Sequence, residues 1–364
     1  MTNPIGLYLH IPFCNGKCPY CDFYSVSPYA NKVSEYVDAI CKKLGETDGV
    51  YDTVYFGGGT PSLIGADNIA KILSCVNRTD GCEVTLECNP SDTGAIDSTF
   101  DFSVVAESGV NRISMGLQSA NDPERKALGR RGGCDEVERA IKRARSAGID
   151  NISLDLMLGV PEQTAESLKR SIEFCKNSGA KHVSAYILKI EEGTPFFKKK
   201  ESLILPDEDE TCDLYLLAVN ELKKAGFDQY EISNFSVKGY ESRHNLKYWR
   251  CEEYLGIGAS AHSFVNGKRF YYERSIDDFI KGKPCIDDGA GGDEEEYIML
   301  TLRLDEGLIF ENFKNRFGKN IPENIITKAK ELEKHRLVKV TDTNISLTVD
   351  GFLVSNTVIC ELIG

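Results

Sequence analysis

Four stretches of the chain repeat one local pattern. In "ESGVNRISMGLQS", "SAGIDNISLDLMLGV", "NSGAKHVSAYIL" and "KAGFDQYEISNF" a helix-compatible run ends at a Gly, and a β-branched and aromatic run follows. Gly109, Gly148, Gly179 and Gly226 are placed as residues just past helix ends, where Gly takes the left-handed conformation at least cost. The runs after them read as buried strands. Upstream, "IGLYLHI", "DTVYFGGG" and "CEVTLECNP" complete the series. Between strands the period is helical: in 208–225, Cys212, Tyr215, Leu216, Val219 and Leu222 share one face while Glu and Lys fill the other. Strands and helices alternating every 30 to 40 residues or so predict βαβ units and a parallel sheet. Six strands fall between residues 5 and 190, with another near 229–235. A doubly wound open sheet fits this order. A partial (β/α)6 barrel fits better, because Cys14, Gly57–Gly59, Glu87, Gln118 and Asp155 all fall at or just past strand C-terminal ends, where barrels place their sites.

Near the C-terminus the pattern changes. "DDGAGGDEEE" (287–296) reads as a linker entering a helix. Helical runs at 294–303, 308–317 and 323–336 then precede "LVKVTDTNISLTVDGF", a hairpin signal. The expected division is an α/β barrel domain over 1–235, a connecting segment over 236–288 carrying "HNLKYW", and a small winged-helix-like domain over 289–364. The 364-residue length accommodates this. The formal charge of −13 argues against broad nucleic-acid binding, so the C-terminal unit reads as a structural cap. No apolar run is long enough to span a bilayer, and "MTNPIG" lacks the features of a secretory signal, so the expected location is cytoplasmic. Most of the thirteen cysteines are expected to be small buried hydrophobes in a reducing compartment.

Three cysteines stand apart. "CNGKCPYC" puts Cys14, Cys18 and Cys21 at spacings of four and three, an arrangement this composition would yield by chance about 0.02 times. One reading is a zinc site completed by a distant ligand such as His10 or Cys88. The other is a [4Fe–4S] cluster held by three thiolates, which leaves one iron open to a chelating small molecule.

Cys14-x3-Cys18-x2-Cys21, with Tyr20 before the last Cys, resembles the signature of the radical S-adenosylmethionine superfamily. "YLHIPFC", "YFGGGTPS", "ECNP", "GLQS", "DLMLGVPEQT" and "LGIGASAHS" resemble, in order, the coproporphyrinogen III dehydrogenase (HemN)-like family. "CDF" and "HNLKYW" point to its heme chaperone branch, HemW. The resemblance runs from about residue 5 to the C-terminus. It implies a barrel of the radical SAM type, a cluster on the three cysteines, and S-adenosylmethionine contacts from Gly58, Gly59, Thr60, Glu87, Gln118, Arg130 and Asp155, with Tyr8 and Tyr20 flanking. Arg131 is an alternative to Arg130. It associates His244 with heme ligation and Tyr248 and Trp249 with a porphyrin face; the plainer reading of His244 is a hydrogen-bonded residue pinning a loop. His10 and His262 are expected to support the cluster and cofactor region.

The function so implied is a heme chaperone that passes heme to acceptor proteins, membrane-associated respiratory proteins among them, and that lacks oxidase activity. A homodimer is among the expected partners. The alternative is an oxygen-independent coproporphyrinogen III oxidase. Against it stand Phe23, where that branch carries a further Cys, and a first strand beginning within ten residues of the start. Radical methyl transfer has no positive support in the sequence.

Overall fold

The structure is a computed structural model and describes residues 4–29 and 31–364; the first three residues of "MTNPIG" lie outside it. Six parallel strands form its centre: β1 (Ile5–Ile11), β2 (Tyr51–Gly58), β3 (Arg78–Cys88), β4 (Arg112–Gln118), β5 (Asn151–Leu158) and β6 (His182–Ile187). They lie side by side in chain order. The strand order never reverses, so right-handed crossovers put every intervening helix on the same face. The chain is therefore barrel-like and not doubly wound.

The two faces of these strands have opposite chemistry. On the helix side one register row runs Leu7–Val54–Val84 and another Leu86–Ile113–Ile152, all buried. The alternate positions carry Tyr8, Tyr55, Glu87, Ser114, Asp155 and Ser184, which point into the lumen. The period-2 alternation therefore sorts apolar residues against helices and polar ones toward the interior. Gly109, Gly148, Gly179 and Gly226 close their helices with φ between 72° and 108°, as their sequence positions predict. The helix Glu208–Ala225 starts with an Asp207–Glu210 capping box. Its buried stripe is Leu214, Tyr215, Ala218, Val219 and Leu222, while Cys212 and Leu216 are only half-buried, so the face is turned slightly from the expected one.

Both margins of the sheet are extended. Beyond β6 the expected strand near 229–235 is a tight hairpin of β7 (Asp228–Glu231) and β8 (Asn234–Ser236), antiparallel to β6. On the other margin β9 (Tyr254–Ile257) runs parallel to β1. Antiparallel β10 (His262–Val265), β11 (Lys268–Tyr271) and β12 (Ile286–Ala290) follow. β12 corrects the linker expectation for 287–296. Its outward Asp287 and Asp288 make an edge strand look like loop in sequence, and the helix begins only at Glu294, capped by Asp293. The twelve strands do not close on themselves, so the barrel is partial.

The C-terminal unit has helices at Glu294–Thr301, Phe310–Phe317 and Glu323–Lys334, and a three-stranded sheet of β13 (Leu308–Ile309), β14 (Val338–Val340) and β15 (Asn344–Leu347). It touches both margins of the large sheet. Leu304 bridges Glu231, and Asp305 N–H donates to Tyr230 O at 3.0 Å. On the far side Arg316 donates to Cys251 O at 3.0 Å, and Arg269 pairs with Glu296.

Cysteine burial departs from expectation: Cys82, Cys88, Cys175 and Cys251 are buried, but Cys75, Cys285 and Cys360 are exposed. Among the described residues, no helix is long and apolar enough to cross a membrane.

Leu154 sits at full burial between the sheet and its helices. Leu154→Ala should lower unfolding stability by about 2–5 kcal/mol in a urea titration. Asp288→Ala, on the exposed edge strand, should change it by less than ~0.5 kcal/mol.

Candidate cluster and cofactor site at the strand C-termini

The loop leaving β1 folds back on itself. Phe13 bridges Val26, Cys14 N–H donates to Val26 O at 2.9 Å, and Val26 N–H donates to Pro12 O at 2.7 Å. Cys18 and Cys21 are tied by a turn with Cys21 N–H on Cys18 O at 3.1 Å, and Phe196 N–H holds Pro19 O at 3.0 Å. The resulting bight presents Cys14, Cys18 and Cys21, all half-buried and free. Thr60 Oγ1 donates to Cys14 Sγ at 3.7 Å and Arg130 Nη1 to Cys18 Sγ at 3.8 Å. Burial raises the Cys14 and Cys21 thiols first, and the neighbouring site cysteines add to it. The thiolate forms therefore need a positive partner, which a bound metal supplies.

The β2 end lies against this loop. Gly59 N–H donates to Ile11 O at 2.9 Å and Thr60 N–H to Phe13 O at 2.7 Å. A Cβ on Gly59 would lie 2.5 Å from Phe13 O, and one on Gly58 (φ 113°) 2.6 Å from the His10 ring. Only glycine permits this approach.

Next to it the lumen residues form a belt across the strands. Tyr8 stacks on Tyr55 at 6.2 Å, and Tyr55 Oη donates to Glu87 Oε1 at 2.8 Å. Burial pushes the Glu87 carboxyl up to about 7, helped by the Asp155 charge and opposed by the Tyr55 hydroxyl. Asp155 is also raised by burial, against hydroxyl donors from Ser184 and Ser114. The charge of Arg112, almost wholly buried, works against both shifts. A bulge between Gly116 and Gln118 turns Gln118 into a left-handed conformation (φ 66°). Arg130 donates to Gly116 O at 2.6 Å, which brings Gln118 and Arg130 together. Arg130 Nε is buried without a partner. Arg131 is exposed, with its side chain beside Gly16, so of the two arginines Arg130 is the one facing the belt and the Cys18 sulfur. Tyr20 packs edge-on against Phe196 at 6.2 Å, and burial raises its phenol.

These residues fit a cluster with a chelated amino acid. Three free thiols face one glycine-lined seam, and the unpaired Arg130 N–H suits a carboxylate. The zinc reading loses both of its suggested fourth ligands. Cys88 is buried on the helix side of β3. His10 donates from Nε2 to Tyr24 O at 3.2 Å and accepts the Tyr8 hydroxyl at Nδ1 at 3.0 Å. Among the described residues, no three His, Cys, Asp or Glu side chains converge on a single-ion centre.

The "HNLKYW" segment forms the helix Arg243–Trp249. His244 is 0% exposed, with Nδ1 bonded to Thr53 Oγ1 at 2.8 Å and Nε2 to Tyr248 Oη at 2.7 Å. Its backbone N–H also meets Glu83 at 3.1 Å. Burial lowers its ring pKa to about 3. Both ring nitrogens of His244 are thus engaged in hydrogen bonds in this structure. Trp249 lies under Arg303 of the C-terminal unit. Tyr248 instead lines a cavity of about 320 Å³ shared with Tyr8, Tyr24, Tyr254, His262 and Arg274. Sequence reasoning missed Tyr55 and Arg112; their in-phase alternation with Tyr8 and Glu87 was the available signal.

Glu87 gives a pH prediction for the cofactor-free protein. Its folded pKa lies above the ordinary 4.5, so its contribution is fully present below about 4.5 and is lost as pH rises through about 7. Glu231, raised to about 7 by burial, adds a second slope of the same sign. Glu87→Gln should therefore remove a pH-dependent destabilisation of up to ~3 kcal/mol between about pH 4.5 and 7, read as the difference from the native protein in unfolding titrations at several pH values.

Comparison with known proteins agrees with this geometry. The Radical SAM superfamily pattern matches residues 8–175, and the HemN C-terminal domain pattern matches 294–354. The heme chaperone HemW of Bacillus subtilis is 33% identical over 98% of both chains. That of Escherichia coli is 36% identical over 72% of this chain and 70% of its own. The solved structure of coproporphyrinogen III oxidase (HemN) from Escherichia coli superposes with a TM-score of 0.82 over 99% of this chain and 90% of that one, at 18% identity, and so shares the fold. Membership of the superfamily implies a [4Fe–4S] cluster and S-adenosylmethionine. With its glycine seam, its three free thiols and full-length relatives at this identity, the chain belongs to the radical SAM superfamily, in the HemW branch of the HemN-like family.

Proposed function

We propose that this chain is a cytoplasmic heme chaperone whose barrel mouth carries a [4Fe–4S] cluster and S-adenosylmethionine beside a heme-binding cavity. The observation that carries the reading is the cavity of about 320 Å³ walled by Tyr8, Tyr24, Tyr248 and Tyr254 directly against the cluster loop. Aromatic walls suit a flat apolar macrocycle. The relatives named as heme chaperones support it over the whole length.

Cys14, Cys18 and Cys21 hold the cluster in this reading. Gly58, Gly59 and Thr60 offer backbone groups to the methionine moiety, and Arg130 offers its free N–H to the carboxylate. Glu87, Gln118, Asp155, Tyr8 and Tyr20 surround the remainder of the nucleoside. When bound, this pair supplies one-electron chemistry that belongs to the cofactors. The chain's own contribution is to position them, keep water from the lumen and present heme at its rim. Heme then passes to an acceptor protein, membrane-associated respiratory proteins being one class, from a monomer or a homodimer.

The oxidase alternative shares the fold. Phe23, 65% exposed beside the cluster loop, stands where that branch carries a further Cys.

Heme titrated into anaerobically reconstituted protein should give a saturable Soret shift, and incubation with coproporphyrinogen III, reductant and S-adenosylmethionine should give no protoporphyrinogen. Robust oxidase turnover, or no heme binding, overturns the reading. Cys14→Ala, Cys18→Ala and Cys21→Ala should each abolish the iron–sulfur absorption near ~400 nm, since each thiolate holds a different iron.

A further inference from the structure

Gln118 and Arg130, both proposed contacts of S-adenosylmethionine, sit on backbone that needs outside support. Gln118 occupies the left-handed region at φ 66°, which a residue with a Cβ rarely takes. Arg130 follows Gly129 (φ 67°) in the loop after the short helix Asp122–Ala127. Its side chain reaches from Gly116 O at 2.6 Å to Cys18 Sγ at 3.8 Å. A single buried side chain ties these two places together.

That side chain is Arg125, which is 3% exposed and spreads its guanidinium over three backbone carbonyls. Nη1 donates to Leu117 O at 2.6 Å and to Ser119 O at 3.2 Å, the residues on either side of Gln118. Nε and Nη2 both donate to Gly132 O, at 3.3 and 3.1 Å. Gly132 is itself left-handed (φ 72°), and a Cβ there would collide with the Glu136 carboxylate. The Arg125 carbonyl completes the frame by accepting the Arg130 N–H at 2.9 Å.

We infer that Arg125 is a positioning residue for the cofactor pocket, a role that rests on the proposed assignment of S-adenosylmethionine to this site. It sets Gln118 and Arg130 in register through the carbonyls around them. The β4–β5 register slips between Gly116 and Gln118, and there Arg125 supplies donors from outside the sheet. A guanidinium offers its donors in one rigid plane and so fixes several acceptors at once. An ammonium is a point charge on a flexible stem and cannot. Burial works against the Arg125 charge, so an apolar side chain would fill the same space at lower cost. What the apolar side chain would not do is hold three carbonyls. Arg130 Nε is buried and unpaired, and its aim at a carboxylate depends on where its loop is held.

The test uses the full chain with its cluster reconstituted anaerobically. S-adenosylmethionine binding is read by equilibrium dialysis and by the change it makes in the EPR signal of the reduced cluster. Arg125→Lys and Arg125→Ala should keep the cluster absorption. Both should bind S-adenosylmethionine roughly ten- to a hundredfold more weakly, as loss of a residue that orients ligating groups does. Arg130→Gln should weaken binding in the native background, but by less than about twofold once Arg125→Lys is present, because both changes act on one unit. If native protein binds the nucleotide and Arg125→Lys matches it, or if the two substitutions add in full, the positioning role fails and the cofactor assignment stands. Loss of the cluster from both Arg125 variants also overturns the role, since the residue then supports the fold and not the pocket. If native, cluster-loaded protein binds no S-adenosylmethionine, the cofactor assignment itself fails, and the positioning role with it.

Discussion

The site depends on one backbone seam. At the ends of β1 and β2, Gly59 and Thr60 donate to Ile11 and Phe13, and the approach leaves no room for a Cβ on Gly59. This seam locks the cysteine loop to the glycine loop, so three thiols that come from an irregular segment are held by two central strands. Rigid strands under a loop are the usual way to hold such groups in place. Without the seam, the cluster loop would be tethered mainly through the Phe13–Val26 bridge and the Pro19–Phe196 contact.

The strands beneath the seam meet two demands with one alternation. Leu, Val and Ile on one parity bury against helices, and Tyr, Glu, Ser and Asp on the other line the lumen. Interior carboxylates in such a space cost free energy unless they are paired or neutral. Here Tyr55, Ser114, Ser184 and Arg112 soften that cost without removing it, which is why Glu87 sits near 7. A cationic ligand in the lumen would complete the balance, and a sulfonium nucleotide has the required sign.

Much of this was legible along the chain because its signals are local. The cysteine spacing, the glycines after helices and the strand-end positions of Glu87 and Gln118 each need only a few residues of context, whereas Asp155 sits inside β5, three residues before its end. What stayed hidden depends on distant partners. His244 reads as an available imidazole until Thr53, 191 positions away, occupies one nitrogen. β9, inside the segment expected only to connect, gives no local sign that it adds to the free edge of β1. β12 presents outward aspartates and so reads as loop, because an edge strand with both faces wet has no hydrophobic alternation to reveal it. The same limit concealed Tyr55 and Arg112, whose roles arise from cross-strand neighbours.

The C-terminal unit reaches both flanks of a sheet that never closes, meeting β7 through Leu304 and Asp305 and the opposite flank through Arg316 and Glu296. It thus works as a brace across the mouth of a horseshoe. Any partner that pried it loose would let the two arms spread, widening the gap at the rim while the thiol loop, tied at the centre of the arch, kept its shape.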